Sequence, residues 1–405
     1  MKHIKGTTLI LILNLIFIHY SMGQSSEENG KKDIVLLGAY QMHQADWSPL
    51  REQYKVFNAS VRDFSSQQLS WILDHSVFPY QPEWCIIHTG LEDLLIGVEV
   101  DRVILNVAGL FSTLRENGIN VILMGALPNY TLREVQPGQI DTLNDRLKKL
   151  AENNGVPFID THSFDRGNFF QNNFLLNESG CEKWNNIILS EMGIKEQKKG
   201  NVSVKDPSSG FVYSALSKER IDRILSESPD EVKLCFLGNS ITEGGKDWNQ
   251  KLNGKYIRNC GQGGYTTQQM LWMMEPTVLS VSPNHCFIMG GINDISLGIS
   301  VDTIFNHYQN ILAKMLENNI RPVVQSTLYQ SSESDQNNKV AALNQKLEEW
   351  CSANEVDFLD INVVLSKNGA LIDDYHTDGT HLNDMGYKIW SEYLQNYLTE
   401  NGIDF

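Results

Sequence analysis

Short, almost wholly apolar runs alternate along this chain with longer segments in which apolar residues recur every three or four positions. The short runs are typical of buried strands, and the longer segments are typical of helices that pack one face onto a sheet. This alternation predicts parallel sheets covered by helices. In the second half the predicted strands are Val232–Leu237, Tyr256–Asn259, Cys286–Met289, Val323–Thr327 and Val356–Asp360, and the predicted helices include Val301–Asn318 and Val340–Ala353.

The two halves of the chain resemble each other at an offset of about 200 residues. Phe64–Trp71 aligns with Tyr265–Trp272, and Pro82–Asp93 aligns with Pro283–Asp294. Because both copies carry the same alternation of runs, we predict an α/β protein of two tandem domains. Each domain should have three layers, with a parallel sheet of about five strands between helices.

The region between the copies interrupts the pattern with lysines and a Pro-Ser-Ser-Gly segment, a composition typical of a linker. We therefore predict domains over residues 31–192 and 231–405, joined by a linker over residues 193–230. Within that linker, Ile221–Ser226 predicts a short helix. A chain of 405 residues is long enough for two domains that each bury a core.

The N-terminus has the layout of a secretory signal peptide, with Lys2 and Lys5 before the apolar run Thr7–Ile18 and small residues at Ser21 and Gly23. The run is too short to cross a bilayer comfortably. We predict that residues 1–23 are removed, and that the mature protein has no membrane span and is periplasmic or extracellular.

The formal net charge of −16 makes some classes of binding partner unfavourable. A strongly acidic surface repels phosphate backbones and anionic lipid, which disfavours nucleic acid and membrane surfaces. The six cysteines lack paired C-x-x-C spacing, so we expect buried thiols rather than zinc ligands. The sequence determines neither an oligomeric state nor a disulfide pairing.

Candidate catalytic residues follow the predicted strands of the second half, because parallel sheets bind ligands beyond the carboxyl ends of their strands. The first strand leads into Ser240, whose hydroxyl is expected on a tight turn before a helix. After the fifth strand, an Asp three residues before a His can hold one imidazole nitrogen and leave the other to take the serine proton. That spacing favours Asp378 with His381, and three neighbouring residues compete for these roles: His376, Asp373 and Asp374.

Two other strand exits carry groups that suit a developing negative charge. The glycines between Gly261 and Gly264 allow close approach of backbone N–H groups, and Asn293 brings a carboxamide to the same edge of the sheet. A tetrahedral oxyanion needs two or three preorganised donors. We expect them to be the N–H groups of Ser240 and Gly264 and the side chain of Asn293.

Taken together, the blocks Gly238–Thr242, Gly264, Gly291–Asp294 and Asp378–His381 resemble those of the SGNH, or GDSL-type, hydrolases in order and spacing. The resemblance covers about Val232 to Leu398. It implies a flavodoxin-like sheet and hydrolysis of esters, acetyl esters among them, through an acyl-enzyme. It also implies that no metal and no organic cofactor is needed.

Carried over residue by residue, the resemblance implies that Ser240 is the nucleophile and His381 the base, with Asp378 orienting it. Gly264 and Asn293 would join the Ser240 N–H as oxyanion donors. The chain differs from the Gly-Asp-Ser-Leu motif, after which the GDSL family is named, at Asn239, where an Asp is usual. A carboxamide keeps the hydrogen bonding of a carboxylate, so we expect activity to survive this change.

All five aligned positions of the first half carry other residues. They are Tyr40 for Ser240, Asp63 for Gly264, Glu92 for Asn293, Asn172 for Asp378 and Leu175 for His381. Two carboxylates would repel an oxyanion, and no base is present. We predict a degenerate, non-catalytic domain, which supports its partner, binds glycan or shapes the substrate cleft.

The sequence favours a secreted serine esterase that removes short acyl groups, above all acetyl, from carbohydrate. Expected substrate contacts are Asn239, Trp248, Tyr265, Tyr329 and His376. One alternative is a lipid or aryl ester hydrolase with the same catalytic residues, although no extended apolar lid is evident for a long acyl chain. Another is a glycan-binding protein without catalysis.

Overall fold

The computed structural model forms two compact units, the second of which begins at Lys218. The predicted signal peptide, residues 1–23, lies outside the described residues, as do residues 193–217 of the predicted linker. The remainder of that linker belongs to the C-terminal unit and contains the helix Lys218–Ser226. The described residues are 34–127, 135–136, 138–164, 166–171, 175–192 and 218–405.

The N-terminal unit is built on a five-stranded sheet in which every neighbouring pair is parallel. Its strands are β1 (Ile34–Gly38), β2 (Val56–Asn58), β3 (Trp84–His88), β4 (Asn120–Met124) and β5 (Phe158–Ile159). Its helices are α1 (Tyr40–Gln44), α2 (Ser48–Arg51), α3 (Ser66–Trp71), α4 (Leu73–Ser76), α5 (Leu91–Leu95), α6 (Val100–Glu116), α7 (Gln139–Asn154), α8 (Arg166–Phe169) and α9 (Glu178–Glu191).

The C-terminal unit contains a second parallel sheet of five strands and a small antiparallel hairpin. Its strands are β6 (Leu234–Gly238), β7 (Ile257–Gly261), β8 (His285–Met289), β9 (Arg321–Gln325) and β10 (Asp357–Leu359), with β11 (Ser366–Lys367) and β12 (Ala370–Leu371) in the hairpin. Its helices are α10 (Lys218–Ser226), α11 (Ser240–Glu243), α12 (Trp248–Leu252), α13 (Thr267–Thr277), α14 (Ile292–Ser296), α15 (Val301–Glu317), α16 (Asn337–Ala353), α17 (Asn362–Leu365) and α18 (Asp384–Glu400).

Both sheets have the same strand order. The sequence β2-β1-β3-β4-β5 in the first unit is repeated as β7-β6-β8-β9-β10 in the second, which is the flavodoxin-like order. The prediction of two tandem α/β domains is therefore confirmed. Predicted strands differ from these only at their ends. For example, β9 starts at Arg321 rather than Val323. Its pairing with β10 begins only at Val323, so the missing N–H of Pro322 removes no hydrogen bond to β10.

Burial explains why the short runs are strands and the long ones helices. All five residues of β6 are buried, as expected for an interior strand covered on both faces. Helix α15 buries one stripe, whose members recur at helical spacing: Ile304, His307, Tyr308, Ile311, Leu312 and Met315. The core of each unit therefore lies between its sheet and the apolar stripes of its helices.

The internal repeat extends to hydrogen-bonding devices. Helix α3 begins with a capping box between Ser65 and Gln68, and α13 begins with the same device between Thr266 and Gln269. Each box satisfies backbone N–H groups at a helix start that would otherwise lack partners. Both loops that enter these helices are thus fixed in the same way.

The six cysteines are all buried, as expected, and none is bridged to another. Among the described helices, none combines the length and the apolar character that a bilayer crossing needs.

Candidate active site

Ser240 lies on a tight turn between a buried strand and a short helix. Strand β6 ends at Gly238, and the side chain of Asn239 accepts a hydrogen bond from the N–H of Ile241, which caps α11. A Cβ at Gly238 would collide with the Thr242 side chain, so the turn requires glycine there. Ser240 is the first residue of α11 and is 7% exposed. The turn therefore holds the hydroxyl in one place at the sheet edge.

His381 reaches Ser240 from a stretch of chain far away in sequence. The Ser240 Oγ and the His381 Nε2 are 2.9 Å apart, and the His381 Nδ1 lies 2.7 Å from an Asp378 carboxylate oxygen. The other carboxylate oxygen of Asp378 accepts from the N–H groups of Thr380 and His381. Hydroxyl, imidazole and carboxylate thus form one continuous chain of hydrogen bonds.

The electrostatics of Asp378 fix the direction of that chain. Burial raises the pKa of this carboxyl, but the hydrogen bonds and charge of His381 and the N–H of Thr380 outweigh burial and lower the pKa to about 2. An ionised carboxylate only accepts hydrogen bonds, so the His381 Nδ1 carries the proton. Its Nε2 then has a lone pair directed at the Ser240 hydroxyl, which is the arrangement a general base requires.

The loop that carries this pair is closed by its own backbone. The N–H of Thr377 donates to the His381 carbonyl at 2.9 Å, and the N–H of Ser331 donates to the Gly379 carbonyl at 2.8 Å. His376 competed with His381 in the sequence, yet its Nδ1 accepts from the Gly379 N–H at 3.0 Å. His376 therefore stabilises the turn between Asp378 and His381, while His381 is the histidine that contacts Ser240.

Two loops next to Ser240 carry the expected oxyanion donors. Gly264 has φ +79°, a conformation that favours glycine. The Asn293 amide donates to the Tyr265 carbonyl at 2.9 Å, which joins the two loops. A carboxamide nitrogen has two hydrogens, so Asn293 keeps a second donor for a ligand. The Ser240 N–H belongs to the first turn of a helix, where the helix itself offers no acceptor.

A buried carboxylate next to Asn293 was missed from the sequence. Asp294 accepts from both the N–H and the hydroxyl of Thr267, the latter at 2.5 Å, and the same hydroxyl lies 3.0 Å from the His307 Nδ1. Burial raises the pKa of Asp294 to about 6 and lowers that of His307 to about 4. This network ties the start of α14 to the start of α13, and so ties Asn293 to the loop of Gly264.

The sequence did hold a signal for this network, since the N-terminal unit contains its counterpart. There Asp93 accepts from the N–H and hydroxyl of Ser66, and Asn106 donates to that hydroxyl in the place of the histidine. Asp93 and Asp294 are aligned in the repeat, and so are Ser66 and Thr267. A carboxylate and a hydroxyl retained together in both copies point to a shared structural bond.

Residues 38–180 and 236–389, more than half of the chain, match the family described as the GDSL-like lipase/acylhydrolase family. The chain belongs to this family. Each matched region covers most of one of the two parallel sheets, so the GDSL-like family accounts for both units and for the repeat.

Proteins named for another activity are also similar to this chain. An N-acylneuraminate cytidylyltransferase of Streptococcus agalactiae serotype III (strain NEM316) is 26% identical over 311 residues, which cover 72% of this chain and 65% of the relative. That of serotype V (strain ATCC BAA-611 / 2603 V/R) is 32% identical over 145 residues, 35% of this chain and 34% of the relative. The chain therefore spans less than two thirds of the length of these relatives.

Solved structures of the GDSL-like family are also similar to this chain. A GDSL-like lipase from Bacteroides thetaiotaomicron is 23% identical, covers 45% of this chain and 98% of its own, and has a TM-score of 0.41. The lipase/acylhydrolase from Enterococcus faecalis is 20% identical, covers 42% of this chain and 96% of its own, and has a TM-score of 0.36.

The substrate contacts expected from the sequence need correction at three positions. Tyr265 and Trp248 are completely or almost completely buried, so neither presents its ring to a ligand. Asn239 is 1% exposed and uses its side chain as the helix cap described above. Aromatic residues in loops looked exposed from the sequence, but these rings fill the core. Tyr329 is half-buried, and its N–H donates to the Asn362 side chain at 3.1 Å.

The N-terminal unit has the family fold with different groups at the same edge. Tyr40 takes the place of Ser240 at the start of α1, and its N–H donates to the Glu92 carboxylate at 3.1 Å. Leu175 is buried, and its carbonyl accepts from the Gln171 N–H as that of His381 does from Thr377. This matches Leu175 with His381, as the alignment predicted, and Asn172 lies outside the described residues.

In the described parts of both units, no three His, Cys, Asp or Glu side chains converge in a way that would hold a metal ion.

Proposed function

We propose that the C-terminal unit is a serine esterase with Ser240 as nucleophile, His381 as general base and Asp378 as the group that orients the imidazole. The observation that carries this proposal is the unbroken chain of hydrogen bonds from the Ser240 hydroxyl through His381 to the low-pKa carboxylate of Asp378. Membership of the GDSL-like lipase/acylhydrolase family supports acyl-ester hydrolysis as the reaction.

In the proposed reaction the Ser240 Oγ attacks the ester carbonyl carbon while its proton passes to the His381 Nε2. The resulting oxyanion collapses, the C–O bond to the alcohol breaks, and His381 returns the proton to the leaving oxygen. Water then attacks the acyl-serine with His381 again as base. The carboxylic acid leaves, and the Ser240 hydroxyl is restored.

The proposed oxyanion donors are the N–H groups of Ser240 and Gly264 and the Asn293 carboxamide. The degenerate unit supports this assignment, because the N–H at the position of Ser240 there holds a carboxylate oxygen, that of Glu92. A backbone N–H at this turn is thus aimed where a substrate oxygen can bind. Asn293, unlike Glu92, adds a donor there and no ionisable group.

For the substrate we propose a short acyl ester, above all acetyl, on a carbohydrate. The similarity to proteins named for an N-acylneuraminate makes an acylated sugar the first class to test. The signal-peptide pattern of residues 1–23 supports export to the compartment where such glycans are met. The N-terminal unit would be non-catalytic.

The test is an assay of the exported form on p-nitrophenyl acetate, p-nitrophenyl decanoate, acetylated xylan and O-acetylated neuraminic acid. Ser240→Ala is the variant, and Tyr40→Phe is its matched control at the equivalent turn of the first unit. We expect acetate esters to turn over, Ser240→Ala to lose activity by orders of magnitude, and Tyr40→Phe to match the wild type.

Other results would redirect the proposal. Faster turnover of decanoate than acetate would favour a lipid ester hydrolase with the same residues. Binding of acetylated glycan without release of acetate, unchanged in Ser240→Ala, would favour a non-catalytic glycan-binding protein. Equal activity of wild type and Ser240→Ala would contradict the assignment of the nucleophile.

A further inference from the structure

Helix α10 precedes the sheet of the C-terminal unit in sequence and lies against the loop that carries Gly264. Arg223 donates to the Gly261 carbonyl at 3.2 Å and to the Gln262 side chain at 3.2 Å. Arg220 donates to the Gly263 carbonyl at 3.3 Å. Two guanidinium groups from one helix therefore hold three consecutive residues of this loop.

Glu243, three residues after Ser240, completes the arrangement. One of its carboxylate oxygens accepts from the Gly263 N–H at 2.7 Å, and the other lies 2.7 Å from the Arg223 guanidinium. Burial raises the pKa of Glu243, and Arg223 and Arg220 act against that rise. The N–H of Gly263 is therefore bound by Glu243 and its carbonyl by Arg220. Because both partners are charged side chains, both hydrogen bonds are charge-assisted.

The arginine Arg220 also stabilises the residue after Gly264. Its guanidinium lies 5.5 Å from the centre of the Tyr265 ring, within the range of a cation–π contact. Tyr265 in turn accepts the hydrogen bond from Asn293 through its carbonyl. Helix α10 is thus connected to both of the loops that carry proposed oxyanion donors.

The N-terminal unit fixes the same loop in another way. His43 occupies the position of Glu243, and its Nδ1 lies 2.9 Å from the carbonyl of Ser60, which matches Gly261 in strand register. There a side chain of the turn itself contacts the loop carbonyl. Glu243 has no hydrogen to donate when ionised, so the carbonyl of Gly261 is bound by Arg223 instead.

We propose that α10 is a positioning element of the active site, in which Arg220 and Arg223, together with Glu243, hold the Gly261–Gly264 loop so that the Gly264 N–H meets the oxyanion. This inference rests on the proposed esterase function. None of the three side chains needs to touch the substrate. Their effect is to fix the donor before the reaction, which is where preorganised hydrogen bonds act.

The test is Arg223→Gln in the full chain, with Glu227→Gln as the matched control. Glu227 pairs with Arg223 on the exposed side of α10, and a surface pair of this kind contributes little. On p-nitrophenyl acetate we expect Arg223→Gln to lower kcat about tenfold with KM changed less than about twofold, because the donor is displaced without loss of a substrate contact. Glu227→Gln should match the wild type.

A second readout does not depend on catalysis. Amide hydrogen exchange in peptides that cover Gly261–Tyr265 should be faster in Arg223→Gln than in the wild type. Arg223→Lys keeps a cation beside Glu243 and should show a kcat and an exchange rate between those of the wild type and Arg223→Gln. If Arg223→Gln does not fold, the same two measurements on Arg223→Lys provide the test. Unchanged kcat, or unchanged exchange in this loop, would overturn the inference. Equal activity of wild type and Ser240→Ala would instead contradict the esterase proposal alone.

Discussion

The backbone N–H of Tyr40 donates to a carboxyl oxygen of Glu92 at 3.1 Å, and these two residues align with Ser240 and Asn293 of the other unit. A side-chain carboxylate of the first unit therefore lies where we propose that the second unit binds a reaction oxyanion. The two units keep one backbone geometry and use it for different groups. At this edge the two units differ in side chains and not in fold.

Glu92 should make the N-terminal unit less stable as the pH rises. Burial, with the charges of Asp93 and Asp63, raises its pKa to about 8. A carboxyl whose folded-state pKa is raised binds its proton more tightly in the folded state, so stability falls as the pH rises from about 4.5 to about 8. Replacing Glu92 by Gln removes the ionisation while keeping an acceptor for the Tyr40 N–H.

We therefore expect Glu92→Gln to stabilise the N-terminal unit by about 1–3 kcal/mol at pH 8, with the gain disappearing near pH 4.5. Thermal melts of the full chain at the two pH values measure this difference. The matched control is Glu99→Gln, which changes an exposed glutamate at the N-cap of α6. A gain that is equal at both pH values would exclude ionisation as its cause.

Restoring the serine alone should not restore a site in the first unit. In a Ser240→Ala background, Tyr40→Ser would supply a hydroxyl, but Leu175 offers no base and Glu92 occupies the N–H that would bind an oxyanion. We expect p-nitrophenyl acetate hydrolysis to stay at the level of Ser240→Ala. Ser240-like activity in the double variant would mean that another base operates at that edge.

Removing the Asn293 donor should lower kcat more than it raises KM. The carboxamide is proposed to bind charge that develops only in the transition state, so Asn293→Ala should lower kcat about 100-fold or more with little change in KM. Asn293→Asp, which removes the amide donor and places a carboxyl group there, should be at least as damaging. Steady-state kinetics on p-nitrophenyl acetate distinguishes the two parameters. A change confined to KM would assign Asn293 to ground-state binding.

Replacing Asp378 by Asn should keep the fold and lose most of the rate. A carboxamide can present hydrogens to the His381 Nδ1 and so favour the wrong tautomer, which is expected to lower kcat by about 10²–10⁴. Because the pKa of Asp378 is about 2, the wild-type carboxyl stays ionised above about pH 4. The factor lost should therefore be the same at pH 6 and pH 9. A factor that changes steeply across this range would point to another titrating partner.

Much of the architecture followed from the sequence because its signals are local and repeated. The interior strand β6 is a continuous apolar run, and the turn to Ser240 carries the glycine that the turn requires. The spacing of Asp378 and His381 was sufficient to propose their contact, since a three-residue separation on a loop lets the carboxylate reach the nearer imidazole nitrogen. These features depend on neighbours in sequence.

The misassigned residues depend on packing between distant segments. Tyr265 and Trp248 stand in loop-like sequence, and only the fold buries their rings. The role of Arg223 could not be predicted from the sequence, because α10 lies in a segment whose composition is typical of a linker. In addition, Gly261, in the loop that Arg223 holds, is 38 residues away in sequence. Long-range polar contacts of this kind have no periodic signature.

The central claim is that the Ser240 oxygen becomes acylated, and trapping that oxygen tests it most directly. The wild type and Ser240→Ala would be treated with a fluorophosphonate that carries a short alkyl group, and the modified peptide would be located by mass spectrometry. We expect one adduct, on Ser240, formed as esterase activity is lost, and none in Ser240→Ala. An active enzyme that stays unmodified at Ser240, or that loses activity through an adduct elsewhere, would contradict the account.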